Sequence, residues 1–206
     1  MIDTAFLITS FVTLFVIVDP IGLTPIFLAL TQGMTSAQRR TVAIRATVIS
    51  AILLALFAAL GEAVLGFIGI SMPAFRVAGG VLLFLTALDM LFERRNKRRE
   101  DRSEEDHFDD PSVFPLSIPL IAGPGSIATV ILLTGQQPGF AGFAMVMGVV
   151  ISVLAILLVM CLFSGLFERL LGKTGITVVT RLLGMLLAAL SVQFVLDGLR
   201  AFGFAA

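Results

Sequence analysis

PLSIPLIAGPGSIATVILLTG, residues 115–135, is the stretch on which the fold turns. It is apolar and 21 residues long, enough to cross a hydrocarbon core that takes about 20 helical residues. Yet Gly123-Pro124-Gly125 stands at its centre. Proline lacks a backbone donor and its ring clashes with the preceding turn, while glycine weakens a helix interior. In hydrocarbon every backbone polar group needs a partner within the protein. Irregular backbone is tolerated at depth where it lines a protein-enclosed cavity, so the break marks a candidate binding site.

The rest of the chain has the same character. Of 206 residues, 58% are hydrophobic and 14% charged, with a mean hydropathy of +1.05. That is the composition of a membrane protein and excludes an ordinary soluble domain. Runs of suitable length fall at about 4–31, 45–66, 75–92, 114–134, 141–167 and 178–199. They predict an all-α integral membrane protein with six transmembrane helices. The first run is interrupted at Asp19-Pro20-Ile21-Gly22, as the fourth is at Gly123-Pro124-Gly125. The chain opens Met1-Ile2-Asp3 without a basic leader or a small-residue cleavage site, so the first run is expected to be retained. The single cysteine, Cys161, lies in an apolar run and reads as a packed small hydrophobe. The single histidine, His107, sits among acidic residues and reads as a solvated group. Neither a metal-ligand set nor a nucleophile–base pair can be assembled, so neither an enzyme nor a cofactor is expected.

Lys and Arg set the orientation. Connections 1–2, 3–4 and 5–6 hold Arg39, Arg40 and Arg45, then six basic residues between Arg94 and Arg102, then Arg169 and Lys173. The other side offers Arg200, with Arg76 and Arg181 set aside as helix-start residues. Eleven basic residues against one put both termini outside, periplasmic or extracellular, in a multi-pass protein of the cell inner (plasma) membrane. Loops 32–44, 93–113 and 168–177 are then cytoplasmic. The run ERRNKRREDRSEEDHFDD, residues 93–110, turns from basic to acidic directly after a span. It reads as a topology determinant near the lipid surface, and nucleic acid is not an expected partner.

The two halves resemble each other. Arg76 and Gly79 recur as Arg181 and Gly184, and Leu85-Thr86 as Leu190-Ser191, at an offset of 105. Val48-Ile49-Ser50 recurs as Val150-Ile151-Ser152 at 102, and Gly22 and Leu30-Thr31 as Gly125 and Leu133-Thr134 at 103. Three matches in order at nearly one offset point to a duplication: residues 1–92, a charged loop at 93–113, and residues 114–206. Each half has an odd number of spans, so the second enters from the opposite face. The expectation is a 3+3 inverted-topology repeat with helices 1 and 4 broken near the midplane.

The breaks have a definite chemistry. New helices starting after Pro20 and Pro124 would offer free amides near Gly22, Leu23 and Thr24, and near Gly125, Ser126 and Ile127. Such ends attract a carboxylate. The last carbonyls before each break, on Val18 and Ala122, suit an ammonium. Gly123 and Gly125 lack side chains, so a ligand could meet bare backbone. Both polarities in one pocket match a small zwitterion. A carboxylate in a span is functional by default, and Asp19 could accept an ammonium or carry a proton; it could equally cap the following helix. Thr24, Ser126 and Thr129 flank the breaks, either lining the cavity or bonding helix carbonyls. Gln193 in the sixth span is a further cavity candidate or helix–helix glue. Arg76 and Arg181 either gate the two entrances or reach to the interfaces. Asp197 and Arg200 are spaced to pair with each other.

DPIGLTPIFLALT (residues 19–31) together with PLSIPLIAGPGSIATVILL (residues 115–133) resembles the MarC family of bacterial and archaeal integral membrane proteins. The resemblance covers essentially the whole chain. Some members are classed as neutral amino-acid transporters. The resemblance therefore implies proton-coupled movement of a small neutral amino acid such as alanine or glycine. Asp19, Pro20, Gly22 and Pro25 match its first motif, and Gly123, Pro124, Gly125 and Ser126 its second. Leu23-Thr24 stands where many relatives have an asparagine after the glycine, which removes a polar side chain from the pocket. Two other functions fit the residues. A passive channel or facilitator would conduct without saturable exchange, and a non-transport protein would recruit a partner through the 93–113 loop.

Overall fold

The computed structural model describes residues 4–92 and 110–204. Its elements are α1 (Thr4–Val18), α2 (Pro20–Leu30), α3 (Ser36–Ile68), α4 (Met72–Leu91), α5 (Ser112–Ile121), α6 (Pro124–Gln136), α7 (Phe140–Leu162) and α8 (Ser164–Ala201). Among the described residues there is no strand. Five helices are long and apolar enough to cross a membrane when α1 and α2 count as one, and the bent pair α5–α6 makes a sixth. Most of the 93–113 loop lies outside the described residues.

Two expected loops are largely helix. α3 begins at Ser36 because Thr35 and Gln38 form a capping box, each side chain bonding the other's backbone N–H. It then carries Arg39, Arg40 and Arg45 past the apolar run. Likewise α8 covers the expected loop at 168–177, but as two helices that meet at a kink at Gly172 (φ 61, ψ 171), with the apolar span running from Thr174. The hydropathy pattern marks only the apolar part of a helix: α3 runs beyond it, and a short helix joins the sixth span at Gly172.

The fourth span also departs from its expected form. Phe114 and Ile118 are extended (φ −128 and −124), each ahead of a cis proline, Pro115 and Pro119. The residue before a proline is driven out of the helical region, and here that happens twice within one turn's spacing. The chain answers with wide turns: Leu116 N–H donates to Pro111 O at 3.2 Å and Ala122 N–H to Ser117 O at 2.8 Å. Ser117 Oγ donates to Ser112 O and to Ala46 O of α3, which fastens the segment to the bundle. The chain then bends by 55° into α6. The irregular stretch therefore starts at Ser112, well before the Gly-Pro-Gly.

Packing pairs the two halves. α4 lies along α8, and α3 along α7. Small residues let α4 and α8 approach closely, as in other membrane helix pairs. A Cβ on Gly80 would lie 2.7 Å from Val195 Cγ2, and one on Gly198 2.6 Å from Val77 Cγ2. One apolar core joins α1, α2, α3, α5, α6 and α7 through Leu14, Leu23, Leu54, Leu116, Val130 and Leu154. A second joins α1, α4, α6 and α8 through Ile17, Leu83, Leu132 and Leu187. Large apolar side chains such as Val48, Ile52 and Phe67 face outward from α3, as a hydrocarbon solvent permits.

Candidate functional site

The two interruptions come together. A Cβ on Gly125 would lie 3.3 Å from Ile17 Cγ2, 3.7 Å from Leu83 Cδ2 and 3.9 Å from Thr86 Oγ1. The start of α6 thus packs against the end of α1, two residues before Asp19.

Asp19 takes the left-handed conformation (φ 55, ψ 64), and its Oδ1 accepts from Gly22 N–H at 3.0 Å. It is fully buried. Asp is one of the few residues with a Cβ that visit this region readily, and Pro20 follows with its preset φ and no N–H to satisfy. The interruption is a single residue, since Asp19 N–H still donates to Phe15 O and Leu23 N–H to Asp19 O, each at 2.9 Å. This corrects the expectation of free amides near Gly22 and Leu23: Asp19 itself occupies both. Gly22 is needed because a Cβ there would run into Asp19 Oδ2.

The second interruption is capped differently. Gly123 precedes α6 with extended backbone and no side-chain cap, and Pro124 is the first helical residue. Ile127 N–H closes the first turn onto Gly123 O at 3.0 Å. The amides of Gly125 and Ser126 have no backbone acceptor among the described residues. Pro124 is exposed and Gly125 half-buried, so this helix end is reachable. Gly123 instead accommodates the protein, since a Cβ would run into Pro119 O. Of the two glycines expected to present bare backbone, Gly123 is therefore filled from within and Gly125 is only partly covered.

The flanking hydroxyls bond helix carbonyls. Thr24 Oγ1 donates to Pro20 O, Thr129 Oγ1 to Gly125 O and Ser126 Oγ to Ile121 O, all at 2.8 Å. Gln193 stands apart from the breaks. Its Nε2 donates to Asp197 Oδ1 at 2.8 Å, and Arg200 Nη1 lies 3.8 Å from the same oxygen. Gln193 and Asp197 line a cavity of about 600 Å³ with Thr9, Ser10, Arg76, Gln136 and Gln137. At 1.5 Å per residue, Ser10 lies about 13 Å along α1 from Asp19. Arg76, Gln193 and Asp197 stand out in the sequence only separately, and Ser10, Gln136 and Gln137 do not stand out there at all. Nothing short of the helix packing puts these residues on one wall.

A sequence model described as MarC family integral membrane protein matches residues 4–202. A UPF0056 membrane protein of Bacillus subtilis, YvbG, is 37% identical over 200 residues, covering 95% of each chain. UPF0056 membrane proteins of Archaeoglobus fulgidus and Aquifex aeolicus are each 36% identical over 197 residues. These alignments cover 95% and 94% of this chain respectively, and 92% of each relative. No solved structure matches the chain.

Proposed function

We propose that this chain, which belongs to the MarC family of integral membrane proteins, is a secondary transporter of small neutral amino acids, coupled to protons. The observation that carries the reading is the unequal capping of two paired helix ends. The amino end of α2 is neutralised by the Asp19 carboxylate. The amino end of α6 has no side-chain cap, and its amides at Gly125 and Ser126 lack a backbone acceptor among the described residues. A substrate carboxylate would do for α6 what Asp19 does for α2. The substrate ammonium would then meet Asp19 or the carbonyls ahead of the breaks. Pro20, Gly22, Gly123 and Pro124 shape this pocket from the backbone. Thr24, Ser126 and Thr129 contribute only acceptor capacity, their hydrogens being committed.

An inverted 3+3 repeat is part of the same proposal, and the packing supports it. Exchange of the halves maps α1, α2, α3 and α4 onto α5, α6, α7 and α8. Under that exchange the α2–α8 contact becomes α6–α4, α1–α7 becomes α5–α3, and α2–α7 becomes α6–α3; all six contacts exist. The contacts α3–α7 and α4–α8 map onto themselves, as elements flanking a pseudo-two-fold axis should. Such repeats set paired broken helices around a substrate site near the bilayer centre. The basic asymmetry puts both termini outside the plasma membrane.

The test is uptake of labelled alanine and glycine by proteoliposomes with and without an imposed pH gradient. Saturable uptake that follows the gradient and is lost in Gly125→Val is expected. Uptake that rises linearly with concentration and ignores the gradient would make the protein a passive facilitator instead.

A further inference from the structure

The cavity at the outer ends of α1, α4, α6 and α8 has unused polar capacity. Ser10 is fully buried, and its Oγ has no hydrogen-bond partner among the described residues. The buried Nε of Arg76 has none either. Leaving buried donors unbonded is unfavourable, so both call for an acceptor. A guanidinium fork matches a carboxylate in shape and charge. The same cavity holds a charge of opposite sign, Asp197, whose Oδ1 is already held by Gln193. The volume, about 600 Å³, is that of a small-molecule site with room for water.

We propose that this cavity is an entrance site for a small zwitterion, with its carboxylate on Arg76 and Ser10 and its ammonium on Asp197. The amino-acid identity of the ligand rests on the transport reading above; the carboxylate site does not. The site is separate from the central breaks. Leu133 and Phe194 line the cavity's apolar side, and the buried cluster of Val16, Ile17, Leu83, Leu132 and Leu187 packs with Phe194. Ile17 and Leu83 of this cluster reach Gly125, so the cluster separates cavity from centre. Helical spacing continues the route across it: Ser10, Thr13 and Ile17 share one face of α1, and Gln136, Leu133, Thr129 and Gly125 one face of α6. A ligand leaving Arg76 for the centre must displace that apolar cluster, which makes the cluster the outer gate. A lipid phosphate could offer Arg76 the same acceptor chemistry, and the experiment separates the two sources.

Full-length protein in nanodiscs is titrated calorimetrically with L-alanine, sodium propionate and ethylammonium chloride. Alanine should bind, propionate more weakly, and ethylammonium not at all. Arg76→Gln should weaken alanine and propionate on the order of ten- to a hundred-fold, the loss of a charge-assisted bond, and Arg76→Lys should restore part of it. Asp197→Asn should lower alanine to the affinity of propionate and leave propionate unchanged. Gly125→Val, which obstructs the central site, should abolish uptake and the central share of alanine binding, while the share that Arg76→Gln weakens stays within about two-fold of wild type. Undiminished alanine and propionate binding by a folded Arg76→Gln would overturn the site and leave Arg76 to a lipid phosphate. Loss of alanine binding in Gly125→Val but not in Arg76→Gln would also overturn it, with the central site left standing. Propionate bound through Arg76, with no uptake of any amino acid, would sink the transport reading and leave the carboxylate site intact.

Discussion

Replacing Asp19 separates architecture from mechanism, because its two roles respond differently to asparagine and alanine. Oδ1 caps Gly22 N–H at 3.0 Å, and the residue holds φ 55, ψ 64. Asparagine keeps both features: it caps about as well as aspartate and tolerates the left-handed region. Asp19→Asn should therefore change stability by less than about 0.5 kcal/mol. Asp19→Ala loses the cap, about 1 kcal/mol, and forces a Cβ without a compensating side chain into the left-handed region, a further 1–2 kcal/mol or so. The sum, roughly 2–3 kcal/mol, corresponds to a melting shift of roughly 5–10 °C for a chain of this size. The chain has no Trp or Tyr, but its only cysteine, Cys161, is buried. A thiol-reactive fluorogenic dye therefore reports unfolding directly. Expected are near-wild-type melting for Asp19→Asn, a clear loss for Asp19→Ala, and no pH-gradient-driven accumulation in either. If Asp19→Asn melts as low as Asp19→Ala, the cap-and-conformation account is wrong. Full gradient-driven uptake by Asp19→Asn would reduce Asp19 to a structural cap.

Four further outcomes follow from the packing and the charges. Gly80→Ala should cost about 1–3 kcal/mol by overpacking, because its Cβ would sit 2.8 Å from Ser191 O. Gly66→Ala, in open space inside α3, should gain up to about 1 kcal/mol; the same dye assay measures both. Asp110 has its pKa held below the usual carboxylate value, first by the Ser112 hydroxyl and, less strongly, by the Ser112 amide and the Arg45 guanidinium. Its folded-state pKa is thus depressed, so its stabilising effect is present above the unfolded value of roughly 4 and fades as pH falls through the lower folded value. Melting followed by circular dichroism should show wild type and Asp110→Asn converging under acid conditions. Cysteine introduced at position 3 should label from outside in intact cells and at position 100 only after permeabilisation; external labelling at 100 would invert the orientation.

The sequence by itself determined what local chemistry controls. The lengths of its apolar runs made it a multi-pass membrane protein. Asp19-Pro20 and Gly123-Pro124 marked both interruptions, because a missing N–H and a fixed φ act wherever proline stands. The two paired motifs carried the family. Other local signals were present but passed over: the capping box that begins α3 at Ser36, and the X-Pro pair that winds α5 into wide turns. Only the tertiary structure decided which polar groups remain available. Thr24 and Thr129 satisfy themselves on carbonyls of their own turns, and Ser126 on Ile121 O across the break, while Asp19 occupies the amides of Gly22 and Leu23. Gln193 belongs with Asp197 and Arg76 in the outer cavity, not with the breaks. Residues 10, 76, 136 and 193 share no local pattern. They meet because four helices pack side by side, and the packing angles that bring them to one wall are set by non-local contacts, including those made at Gly80 and Gly198.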